Sequence, residues 1–149
     1  MIIEKLNFEN REKALGLVLS VFMQYEAPEY SEQGIKTFKD FIKSEESING
    51  LELYGAFKGE EIVGVIATRN NGNHISLFFV YGKYHRQGIG RKLFETVIKE
   101  STAPKITVNS SPYAVEVYKK LGFVPDSEEQ LADGLRYIPM TYIKRVKHI

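Results

Sequence analysis

Residues 75–99, ISLFFVYGKYHRQGIGRKLFETVIK, constrain the fold of this chain more than any other stretch. Residues 75–80 are almost wholly apolar and aromatic, and the run is too short for a typical helix. It reads as a strand buried on both faces. Gly88 and Gly90 flank Ile89 in the turn that follows. Beyond Gly90, Leu93, Phe94, Val97 and Ile98 fall on one helical stripe, with Arg91, Lys92, Glu95 and Lys99 off it. The stretch is therefore a strand, a glycine-containing basic turn and an amphipathic helix.

A helix start leaves backbone N–H groups without intrahelical partners, and the macrodipole adds partial positive charge there. Glycine lets the backbone turn sharply and lets an anion approach where a Cβ would stand. Arg86, Arg91 and Lys92 add full charges beside those donors. The combination suits a phosphate or pyrophosphate. It is not a dinucleotide fingerprint, whose third glycine would fall on Leu93. Nor is it a Walker loop, because Gly-Lys-Ser/Thr occurs nowhere in the chain.

At 149 residues the chain is expected to form one domain, residues 1–149, with a substantial core. A formal net charge of +1 argues against nucleic acid or an anionic membrane as partner. The absence of cysteine removes disulfides, thiolate metal sites and a cysteine nucleophile. The N-terminus carries acidic residues early and no apolar signal core, and no apolar run approaches the roughly 20 residues of a membrane helix. The expectation is a soluble, cytoplasmic protein without a metal.

Taken in order, residues 1–6 read as a first strand. Asn10 is read as the cap of a helix carrying Ala14, Val18, Val21, Phe22 and Tyr25, which ends at Ala27-Pro28. Ser31 caps a second helix with Ile35, Phe38 and Ile42 as its stripe, and residues 45–50 read as a polar loop. Strands follow at 51–57, 62–68 and 75–80, with the Asn70-Asn71-Gly72-Asn73 turn as a hairpin signal. After the helix of the basic turn, residues 105–108 form a strand. Ser111 and Pro112 start a helix with Ala114, Val117, Tyr118 and Leu121 on one face, and Gly122 ends it. Residues 126–134 read as a polar loop, 135–143 as a last strand, and 144–149 as a basic tail that frays. The order β-α-α-β-β-β-α-β-α-β contains one parallel crossover, so the class is mixed α/β with a mostly antiparallel central sheet flanked by helices.

Two segments resemble the signatures of the GNAT superfamily of N-acetyltransferases. His85-Arg86-Gln87-Gly88-Ile89-Gly90 resembles the acetyl-CoA loop Q/R-x-x-G-x-G/A, with His at its first position. In residues 109–123, Ala114, Tyr118, Gly122 and Phe123 match a helix with A-x-x-x-Y that ends in G-F. The family often has Asn three residues before that Ala; here Ser111 stands there and Asn109 lies two residues earlier. The element order also resembles the GNAT fold over nearly the whole chain.

The resemblance implies acetyl-CoA as co-substrate and direct transfer of its acetyl group to an amine in a ternary complex. It implies Tyr118 as general acid toward the departing thiolate. It implies cofactor contacts at Phe79, Val80, His85, Arg86, Gln87, Gly88, Ile89, Gly90, Arg91 and Asn109, with the fourth and fifth strands splayed around the pantetheine arm. The acceptor, a small-molecule or peptide amine, would bind between the first two helices and the C-terminal hairpin, and Glu26 and Tyr30 are its candidate contacts. Relatives often carry a base on the fourth or fifth strand, but residues 75–80 and 105–108 contain no carboxylate. A homodimer is left open. The alternative function is a non-catalytic acyl-CoA-binding regulatory or sensor domain.

Overall fold

The computed structural model describes residues 1–144; past Lys144 the expected basic tail lies outside the described residues. The chain runs β1 (Ile2–Lys5), α1 (Phe8–Val21), α2 (Glu32–Lys43), α3 (Glu45–Asn49), β2 (Glu52–Lys58), β3 (Glu61–Arg69), β4 (His74–Val80), α4 (Ile89–Glu100), β5 (Lys105–Ser110), α5 (Val115–Leu121), β6 (Val124–Pro125), β7 (Gln130–Ala132) and β8 (Leu135–Ile143). The sheet order is β1-β2-β3-β4-β5-β8-β6, with β7 paired to β8. Every pairing is antiparallel except β4 with β5. The expected order is present, with one short helix and two short strands added.

Helices cover both faces of the sheet. On one face Leu17, Val18 and Phe22 pack with Val65, Ala67, Leu77 and Phe79. On the other, Leu93, Phe94 and Tyr118 pack with Val63, Ile66, Ile106 and Met140. The strand buried on both faces is therefore β3, all of whose interior residues are buried, rather than β4. In β4, Ile75, Leu77 and Phe79 are buried while Ser76, Phe78 and Val80 are half-buried. The reason is the neighbour: β5 pairs with β4 only at His74 and Ile75 and then departs.

Other departures from the sequence reading are local. The α1 cap is Asn7, whose Oδ1 accepts the Asn10 N–H at 3.0 Å, so Asn10 is the donor of that cap. Residues 45–49 are helical because Ser44 caps them, Glu45 and Glu46 occupy the first turn, and Ile48 is buried. Asp133 (φ 51°) and Gly134 (φ 82°) close a two-residue turn between β7 and β8, the Asp-Gly hairpin pattern. Val117 is half exposed rather than on the buried face, because a 3₁₀ turn over Pro112–Ala114 precedes α5 and shifts its register. Gly122 ends α5 with φ 108°, and the Phe123 N–H donates to Tyr118 O at 3.0 Å, as expected of that cap. Among the described residues no helix is long and apolar enough to cross a membrane.

Candidate active site

The site begins at a defect in the sheet. Between β3 and β4 the register shifts so that Ala67 faces Leu77 and Thr68 faces Ile75, leaving Ser76 as the extra residue of a β-bulge. Bulges bend the strand that carries them. Pairing with β5 stops at Ile75, immediately before that bulge. From Ser76 to Val80, β4 is held only on its β3 side. Tyr81 donates its N–H to Val63 O on β3, so by strand alternation Phe78 and Val80 turn their N–H groups toward the gap beside β5.

Two cavities open along that gap. The first, about 550 Å³, lies against the start of α4 and one side of α5. Phe79, Val80, His85, Arg86, Gly88, Ile89, Gly90, Arg91 and Tyr118 all line it. The second, about 490 Å³, lies between α1, α2 and the β7–β8 hairpin, with Tyr30, Phe38, His74, Asn109 and Arg136 among its walls. Glu26, Phe78, Phe79, Ala114 and Tyr118 line both, so the cavities meet there.

The first cavity is floored by the turn that opens α4. Gly88 caps the helix with φ 81°, and the helix starts at Ile89, buried against the sheet. Arg86 also holds a positive φ of 63°, unusual for a residue with a Cβ. Its side chain is exposed at the cavity rim. Arg91 reaches instead to α5, donating to Lys120 O at 3.1 Å. Gln87 lines neither cavity; it accepts from Lys58 Nζ at 3.4 Å and donates to Lys83 O at 3.1 Å. His85 Nε2 donates to Val80 O at 2.6 Å, which fixes its tautomer. Its ring packs against Tyr25, 5.2 Å between centroids. Asn109 lies on the second cavity rather than with the other expected cofactor contacts.

Tyr118 enters the junction from α5. Its ring is buried and meets Phe78 and Phe123 edge to face at 5.9 and 5.3 Å. Burial pushes its hydroxyl well above the ordinary tyrosine range, and the Glu26 carboxylate pushes in the same direction. Glu26 arrives from the opposite side. After Val21 the first helix loosens into a π-helical turn over Phe22–Glu26 before a 3₁₀ turn over Ala27–Glu29. Such turns re-aim the side chains that follow. Burial pushes the Glu26 carboxyl up to about 7; the Ser111 hydroxyl opposes this and the Glu29 carboxylate adds to it. Burial likewise raises the Tyr30 hydroxyl, whose Oη donates to Arg136 O at 3.1 Å.

In the second cavity, aromatic walls come from stacked Phe22 and Phe38, 3.8 Å between ring centroids. Arg136 is held by Glu129 through paired bonds of 3.0 Å and leaves little charge unmet. His74 sits at the far end of β4, bonded through Nδ1 to Thr107 Oγ1 at 2.8 Å. Burial, then nearby Arg69, lowers its pKa to about 4. The sequence reading named Ser111 as a helix cap, but it did not bring out the Ser111 bond to Glu26, the bulge at Ser76 or the π-helical turn. The bulge has no signature in a run of apolar residues.

The chain matches the family described as Acetyltransferase (GNAT) domain over residues 26–144. No curated protein matches it by sequence. Among solved structures it is similar to a GCN5-related N-acetyltransferase from Rhodopseudomonas palustris, with 20% identity over 96% of this chain and 95% of that one and a TM-score of 0.82. It is similar to a GNAT-family acetyltransferase from Staphylococcus aureus, with 22% identity over 95% and 98% of the chains and a TM-score of 0.72. It is also similar to the PaiA N-acetyltransferase of Thermoplasma acidophilum in complex with coenzyme A, with 20% identity over 97% and 100% of the chains and a TM-score of 0.69.

Proposed function

The chain belongs to the acetyltransferase (GNAT) family, and from that membership we propose that it transfers the acetyl group of acetyl-CoA directly to an amine in a ternary complex. The observation that carries this is the meeting of two cavities at Tyr118 and Glu26, over a strand that β5 leaves after Ile75. One cavity holds nearly all the residues expected to touch the cofactor. The other is a separate chamber for an acceptor. That the Thermoplasma neighbour is in complex with coenzyme A supports a ligand of that class here.

Acetyl-CoA lies in the first cavity, with its pyrophosphate at the α4 start. Gly88 brings the first-turn amides to it without a Cβ in the way, and the exposed Arg86 adds charge. The pantetheine arm runs into the gap beside β4 and pairs with the Phe78 and Val80 backbone as a strand would. An N–H from this strand polarises the thioester carbonyl, which becomes an oxyanion as the amine attacks. The new C–N bond forms and the C–S bond breaks. Tyr118 gives its hydroxyl proton to the departing thiolate. The hydroxyl carries its proton in the resting site, and burial raises its pKa further. The apolar ring contacts around it exclude competing water.

Calorimetric titration with acetyl-CoA, with ATP as control, tests the cofactor assignment. Tyr118→Phe then tests the acid: turnover falls about 10²–10⁴-fold while acetyl-CoA affinity stays within about two-fold. Unchanged turnover removes Tyr118 from catalysis. Acetyl-CoA binding without CoA release with any amine favours an acyl-CoA-binding regulatory role instead.

A further inference from the structure

An ammonium must lose a proton before its nitrogen can attack, and neither β4 nor β5 carries a carboxylate to take it. We propose that Glu26, delivered by the π-helical turn at the end of α1, is the general base of this site and works opposite Tyr118 as its acid. The assignment rests on the acetyltransferase reading above.

The argument is positional. Of the five residues that line both cavities, Glu26 and Tyr118 alone are titratable. The acidic and imidazole groups that touch just one cavity are placed or occupied elsewhere. Asp133 lies in the exposed hairpin turn. Glu116 is exposed and pairs with Lys119 at 3.5 Å. His74 is bonded to Thr107, beyond the bulge from the junction. His85 spends its Nε2 proton on Val80 O. A base must reach the amine in the acceptor chamber and the thioester at the end of the other, and Glu26 borders both.

The turn that carries it is pinned from outside. Any Cβ at Gly82 would overlap the Tyr25 hydroxyl, so the chain after β4 is shaped to admit Tyr25. Tyr25 also packs its ring on Tyr113 at 5.6 Å. One residue on, Glu26 is held toward the junction. The groups that face it set its charge. Glu29 and Tyr30 come from its own connection, and Ser111, Tyr113 and Tyr118 from the β5–α5 segment. Among the described residues no salt bridge reaches it. Burial leaves a carboxyl poised near neutrality, the value at which a base both exists ionised and holds a proton well.

The step balances. The ionised Glu26 takes one proton from the ammonium, and the neutral amine attacks the thioester. C–N forms, C–S breaks, and Tyr118 protonates the thiolate to give CoA–SH. The amide nitrogen gives up its second proton to restore Tyr118, and Glu26 returns its proton to solvent.

The test is the pH–rate profile of CoA release, at saturating acetyl-CoA, with an equimolar pool of 2-phenylethylamine, putrescine and an alanyl tripeptide amide. Wild-type kcat should rise with pH through an apparent pKa near 7. Glu26→Gln should lose that limb and lower kcat about 10²–10⁴-fold, with acetyl-CoA affinity unchanged, and Glu26→Asp should restore part of both. If Glu26→Gln keeps the limb and only raises the amine KM, the carboxylate is an ammonium anchor and the proposal falls. Carbon-13 titration of the wild-type side chain decides the matter even if the variant does not fold: a midpoint below 5 overturns it. Wild-type protein that binds acetyl-CoA yet releases no CoA overturns the transfer reading, and this assignment with it.

Discussion

Gly34→Ala sets two effects of opposite sign against each other. Gly34 lies in the first turn of α2, and its Cα faces the carbonyl of Gly134 in the β7–β8 turn. A methyl built there overlaps the Gly134 oxygen, stands 2.9 Å from the Gly134 carbonyl carbon and 3.4 Å from Tyr30 Cβ. Ordinary contact begins at 3.4 Å, and clearing the Gly134 oxygen requires the hairpin to retreat by about 1 Å. The obstacle is backbone, and no rotamer change relieves it. The retreat also stretches the 2.7 Å bond from Thr37 Oγ1 to Asp133 O, worth about 0.5–1.5 kcal/mol. Overpacking of this kind costs about 1–3 kcal/mol. Helix propensity acts the other way, favouring Ala over Gly by up to about 1 kcal/mol. The net expectation is a loss of roughly 1–3 kcal/mol, read by scanning calorimetry as a Tm lower by about 3–10 °C. Acetyl-CoA affinity should not change, because neither residue borders the first cavity. A Tm that rises would mean propensity wins, and the hairpin is not seated on α2 as described.

Arg86→Gly should raise stability by about 1 kcal/mol, since glycine holds φ 63° without strain. The same change should weaken acetyl-CoA binding and flatten its salt dependence; tighter binding would remove Arg86 from the phosphate site. Urea unfolding between pH 4 and 8 should show two opposed limbs. His74 binds its proton more weakly when folded, so stability falls as pH drops from 6.5 toward 4. Glu26 binds its proton more tightly when folded, so stability falls as pH rises from 4.5 through 7. His74→Gln should flatten the first limb and Glu26→Gln the second; a limb unmoved by its own substitution refutes that attribution.

Much of the architecture is legible in the sequence because it is written in local signals. The meander from β2 to β4 is spelled by β-branched runs and by Asn70, Asn71 and Gly72, all of which take positive φ. The helix α4 follows from its stripe and from Gly88, and the end of α5 from Gly122 and Phe123. The misses have local signals too, which a periodicity reading passes over. Asp133-Gly134 spells the β7–β8 hairpin in two residues. Ser44 with Glu45 and Glu46 spells a cap for a helix too short to show a period. Val117 reads as core by spacing, yet the 3₁₀ turn before α5 carries it out to the cavity mouth.

The junction of the cavities was far less legible, because it is assembled from departures from regular structure. A π-helical turn aims Glu26, a bulge at Ser76 frees the β4 backbone, and left-handed residues shape the α4 start. Each sacrifices some regular pairing or dihedral preference. None repeats with a period that a pattern could register. The three converge only when α1, β4 and α5 are packed on one another, residues far apart in the chain. Such irregularities persist because the surrounding layers over-determine them: β3, buried on both faces, holds β4 along one edge while the other edge parts from β5. The same geometry explains the energetics. A carboxyl and a phenol drawn into an apolar junction are each pushed toward their neutral form. Holding both groups there costs stability that packing elsewhere in the fold must offset.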